Sequence, residues 1–87
     1  MAKIVNNAKG FKVIKVSIVE CVENFGGYGI CDSCNDCVDP GYYVAALNYT
    51  MCEKCYRRFE REAKYYPEDR DVEASNFLWA RGRLGLL

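Results

Sequence analysis

Six cysteines in a chain with no histidine constrain this sequence more than any other feature. They stand at positions 21, 31, 34, 37, 52 and 55. Cys31-Asp32-Ser33-Cys34 and Cys52-Glu53-Lys54-Cys55 are both C-x-x-C, separated by seventeen residues. Two residues between thiols let a tight turn aim both sulfurs at one ion, and a second pair completes the tetrahedron from elsewhere in the fold. Without histidine, the chemistries that need an imidazole are excluded, and the choice lies between a metal site and a disulfide framework. No secretory-type stretch opens the chain, so the expected setting is reducing and cytoplasmic, where structural disulfides are rare. The expectation is one Zn2+ per chain held by Cys31, Cys34, Cys52 and Cys55.

A competing first pair exists, because Cys34-Asn35-Asp36-Cys37 is also C-x-x-C. A zinc knuckle turns back after its second cysteine, often through a residue at positive φ. Asn35 tolerates that conformation and the β-branched Val38 does not. The Cys31/Cys34 register is therefore preferred, with Gly29 giving the chain room to bend. Cys37 is left as a passive neighbour, a redox thiol or an alternative ligand. Cys21 falls on the apolar face of a short helix with Ile18, Val22 and Phe25, and reads as a small buried hydrophobe.

The rest of the chain supplies a small frame. At 87 residues and 10.0 kDa, one domain exhausts the surface available for burial. Residues 1–10 read as a loose lead-in and 11–87 as one zinc-binding domain. Phe11 to Val16 alternates as a strand. Ser17-Ile18-Val19-Glu20 is a capping box opening a helix over 18–25 that Gly26-Gly27 ends. Asp39-Pro40-Gly41 is a turn, Tyr42 to Leu47 a strand, and Asn48-Tyr49 a tight turn into a return strand, Thr50 to Cys52. A helix over 53–65 follows, with Tyr56, Phe59 and Ala63 inward and Pro67 as its stop. Asp69 to Glu73 suit the N-terminus of a last helix. Val72, Asn76, Trp79 and Ala80, flanked by Phe77 and Leu84, mark the face of that helix. The fold class is small α+β: a treble-clef zinc finger of knuckle, β-hairpin and helix, with an N-terminal strand and short helix and a C-terminal helix.

From Phe11 to Phe77 the sequence resembles a family of small bacterial and phage-borne proteins. The resemblance rests on Phe11-Lys12-Val13-Ile14-Lys15-Val16, Gly29-Ile30-Cys31-Asp32-Ser33-Cys34-Asn35, Gly41-Tyr42-Tyr43 with Leu47-Asn48, Cys52-Glu53-Lys54-Cys55, and Ala63-Lys64-Tyr65-Tyr66-Pro67-Glu68-Asp69. It implies a LIM-like treble clef with ligands Cys31, Cys34, Cys52 and Cys55, and no established activity. Cys21 and Cys37 stand outside the family pattern.

Charge and composition then weigh the functional classes. The formal net charge is zero, but it is distributed in blocks. Lys3, Lys9, Lys12 and Lys15 make residues 1–15 basic, whereas residues 20–53 carry six acidic groups and no basic one. Phosphate binding needs a positive surface, so the acidic half disfavours it. The alternative reading as a nucleic-acid-binding finger rests on Arg57, Arg58, Arg61 and Lys64 along the 53–65 helix, with Lys12 and Lys15. Seven tyrosines and one tryptophan exceed what so small a core can bury. They fit a protein-interaction or adaptor module, self-association included. No glycine-rich phosphate loop and no open metal position is present, so no enzyme is expected. The longest apolar run, Tyr42 to Leu47, is too short to cross a membrane.

Overall fold

The computed structural model describes residues 2–7, 9–25, 31, 34 and 40–86. Four strands, β1 (Lys3–Val5), β2 (Val13–Val16), β3 (Gly41–Val44) and β4 (Tyr49–Cys52), form an antiparallel sheet in chain order. Helices α1 (Ile18–Phe25), α2 (Glu53–Glu62) and α3 (Arg70–Leu84) complete the described elements, with a 3-10 turn over Pro67–Asp69 leading into α3. The protein is thus small and α+β. No described helix is long and apolar enough to span a membrane.

Consecutive side chains of a strand point to opposite faces, and β3 shows how each face is covered. Tyr42 stacks on Tyr56 of α2, with ring centroids 4.3 Å apart and planes 7° from parallel. The neighbouring Tyr43 hydroxyl reaches Asn76 of α3 on the other side, 3.5 Å from its carbonyl oxygen. Between these layers Val13, Ile14, Val16, Val44 and Ala45 are buried. Phe11 closes one end, edge-on to Tyr65 and tilted against Phe59.

Helix α1 begins as its sequence dictates. The Glu20 N–H donates to Ser17 Oγ at 3.1 Å, and the Ser17 N–H donates back to Glu20 Oε1 at 2.9 Å. Its other carboxylate oxygen accepts from the Ala2 N–H at 2.6 Å. Burial raises the Glu20 pKa, but these backbone donors outweigh it and hold the carboxyl below its usual value. Cys21 is buried on the inner face, as expected of a small hydrophobe. The expected stop at Gly26-Gly27 lies outside the described residues.

Four local readings are corrected. Within the segment taken as a lead-in, Lys3–Val5 pair with β2, Ile4 opposite Ile14. Turn contacts follow them: the Gly10 N–H donates to the Asn7 carbonyl, the Lys9 N–H to Asn7 Oδ1, and Gly10 adopts φ 89°. A three-residue strand ahead of them is too short to show a period. β3 ends at Val44, because residues 45–48 turn, with Asn48 at φ 55° and its Oδ1 accepting from the Tyr43 hydroxyl at 2.7 Å.

α2 stops at Glu62, short of the expected 65 and well before Pro67. Ala63 turns extended at ψ 147° while its N–H still bonds the Phe59 carbonyl. The Lys9 ammonium caps this end, donating to the carbonyls of Arg61 and Ala63. In α3 the buried face is Glu73 and Ala80, with Asn76, Phe77 and Leu84 half-buried. Val72 is 56% exposed and Trp79 48% exposed. The face turns away from them because the Glu73 carboxylate is engaged inside. Its oxygens accept from the Lys12 N–H at 2.9 Å and the Tyr65 hydroxyl at 3.1 Å.

Candidate metal centre

Two thiols of the centre come from the junction of a strand and a helix. Cys52 is the last residue of β4 and the N-cap of α2, with φ −71° and ψ 166°. Cys55 follows in the first helical turn. A helix N-terminus leaves its first N–H groups unpaired and carries positive dipole, which suits thiolate. Burial pushes the Cys52 thiol up, and the Cys55 backbone N–H near its sulfur draws it back down without forming a full cap hydrogen bond. Glu53 is the one acidic residue in the first turn of α2.

Cys31 and Cys34 bring the other two sulfurs. All four Sγ atoms lie within 4.8 Å of one another, and Cys34 and Cys52 are 3.6 Å apart. A tetrahedral ion with bonds of about 2.3 Å to sulfur sets its ligands about 3.8 Å from each other. The donor set and its spacing therefore fit one metal ion, and four soft thiolates favour zinc. Cys31 is fully buried and Cys52 7% exposed, whereas Cys55 is half-buried and Cys34 exposed. Among the four, Cys34 is the most exposed and Cys55 the next.

The cluster contains the four cysteines that spacing singled out. Cys37, Asn35, Val38 and Gly29, on which the choice of register rested, lie outside the described residues. The described cysteines are thiols, not disulfides.

The basic face of the 53–65 segment is altered by its own acids. Arg57 pairs with Glu53 at 3.4 Å and Glu60 at 3.6 Å, and Arg58 pairs with Glu62 at 3.4 Å. Sequence reasoning counted these charges without pairing them, although i,i+3 and i,i+4 spacings give the signal. Glu73 was also missed as an inward group. Its clue is the series Glu73, Phe77, Ala80 and Leu84, a charge embedded in an apolar stripe. No protein-family model, curated protein or solved structure matches the chain.

Proposed function

We propose that this chain is a LIM-like treble-clef module in which one Zn2+ is scaffold and the surface it stabilises binds another protein. Four cysteine ligands leave the ion no open coordination position, so in this reading the metal is structural and the chain is not an enzyme. The observation that carries the protein-binding part is the apolar surface of α3. Val72, Leu78 and Trp79 are each about half exposed or more, and exposed aromatic and aliphatic groups of this kind are characteristic of partner surfaces. Val19 and Val22 of α1 add to the exposed apolar total.

The nucleic-acid alternative has weaker support, because Arg57 and Arg58 already serve acidic neighbours on α2. A phosphate backbone would have to displace those partners to gain charge there.

Capture from a bacterial lysate by the zinc-loaded protein, with and without nuclease, separates the readings. The expected result is a protein partner retained after nuclease and lost with Trp79→Ala. Binding abolished by nuclease and falling steeply with salt would overturn the proposal in favour of nucleic acid.

A further inference from the structure

A cleft of about 500 Å3 runs beside β1, lined by Ile4, Val5, Asn6, Phe11, Lys12 and Phe77 among others. One wall is an edge strand. Lys3, Ile4 and Val5 pair with β2 on one side, and no described residue pairs with their other side. Ile4 is 51% exposed. Phe77 of α3 stands on the opposite wall, with the Lys12 ammonium 5.3 Å and the Arg81 guanidinium carbon 5.4 Å from its ring centroid.

Among the described residues these two cations have no acidic partner within ion-pair distance, and Arg81 Nε is buried with no hydrogen-bond partner. Glu73, the nearby carboxylate, is committed to the Lys12 N–H and Tyr65 hydroxyl. Lys3 and Lys15 meanwhile sit directly opposite each other across β1 and β2. Like charges in that register destabilise a sheet unless something negative lies near.

The register puts Ile4 with Tyr43 on the α3 face and Lys3 and Lys15 with Tyr42 on the α2 face, so an open strand edge with an apolar wall on one face and paired lysines on the other specifies a ligand. We propose that the cleft receives an acidic, extended segment of a partner protein, added as a further strand along the outer edge of β1. Backbone hydrogen bonds from the strand supply affinity, alternate side chains pack on Ile4 and Phe77, and the carboxylates between them meet Lys3 and Lys15 on the other face. This deepens the protein-binding reading above and rests on it.

The test titrates the zinc-loaded full chain with a blocked peptide of about six residues, a typical strand length, alternating valine and glutamate. Amide NMR and hydrogen exchange are the readouts. The expected result is new protection at those β1 amides, alternate along Lys3–Val5, whose N–H groups face away from β2, with shifts at Lys12 and Phe77. Lys3→Glu, at an exposed site, should weaken binding by about tenfold or more, and a valine–lysine peptide should not bind. Unchanged affinity after N-methylation of alternate peptide amides would overturn strand addition. Shifts confined to other surfaces, or none, would overturn the cleft. So would β1 amides already protected in a dimer without peptide, or an oligonucleotide occupying the cleft in place of peptide. If β1 stays silent while Trp79→Ala still abolishes partner capture, the cleft proposal falls and the protein-binding reading stands.

Discussion

Tyr42 and Tyr56 lie ring on ring, 4.3 Å apart, and join the hairpin to the helix that carries Cys55. Tyr56 also accepts a hydrogen bond from Asn7 Nδ2 at 3.0 Å, so one side chain ties β3, α2 and the N-terminal turn together. Deleting a buried ring leaves a cavity as well as losing its contacts. Tyr56→Ala should cost about 3–5 kcal/mol, whereas Tyr56→Phe should lose about 1 kcal/mol with the Asn7 bond. Denaturant unfolding of the two variants checks the order. Equal losses would place the stabilisation in the hydroxyl and not in the stack.

Metal removal should be far more damaging. Zinc bound at a thiolate site contributes on the order of 10–16 kcal/mol, against about 5–15 kcal/mol for a whole domain. Native mass spectrometry should therefore find one zinc per chain, and chelation should abolish the near-ultraviolet circular dichroism of the packed tyrosines. Cys52→Ser, which removes a ligand at the strand–helix junction, should reproduce that loss. A chelated protein with an unchanged spectrum would contradict a structural role for the metal.

The reciprocal bonds of Ser17 and Glu20 predict an acid-sensitive helix start. Ser17→Ala should destabilise by about 1 kcal/mol. Glu20 is held below its ordinary pKa, so its unfolded form binds the proton more readily. Its contribution is present above the unfolded value and is lost as pH falls through the lower folded value. Glu20→Gln should flatten that acid limb in denaturation measured against pH.

At the alkaline end Tyr43 sets the opposite dependence. Burial pushes its pKa up to about 12 from the ordinary 10.0. The neutral phenol is the folded form, so its contribution is complete below pH 10 and declines between about 10 and 12. Tyr43→Phe should remove this decline, while losing the bond to Asn48 at every pH. Spectrophotometric titration near the phenolate band measures it directly.

Glu73 gives a test of buried polarity. Glu73→Leu fills similar space but leaves the Lys12 N–H and the Tyr65 hydroxyl without their acceptor. An unsatisfied buried donor costs about 1–3 kcal/mol, so the variant should be less stable despite being more apolar. Glu73→Gln keeps one acceptor oxygen and should lose less. Thermal unfolding of both decides it.

The metal cluster was the most legible feature because thiol spacing is a chemical rule that survives ignorance of the fold. The capping box at Ser17 and Glu20 was legible for the same reason, since both bonds are local. The period of α3 was not. Hydrophobicity ranked Val72 and Trp79 as inward, but Tyr65 and Lys12 present donors that need an acceptor, and α3 is turned so that Glu73 meets them. β1 escaped notice because three residues carry no period, and its pairing depends on a turn fixed by Asn7 and Gly10. Lys9 gave no sign in sequence of capping α2, since its two carbonyl partners lie some fifty residues away.

Because the strands pair in chain order, most of the sheet can form by joining neighbours. The long closure is between β2 and β3, across residues 17–40, and that connection contains Cys31 and Cys34. Bringing the ends of a longer loop together carries a larger entropic cost. An ion that ties this loop to Cys52 and Cys55 shortens it in effect, so the metal would act as a clip on the longest closure of the sheet. Refolding should then accelerate with added zinc, and the supply of metal during synthesis would set how quickly the chain reaches its sheet.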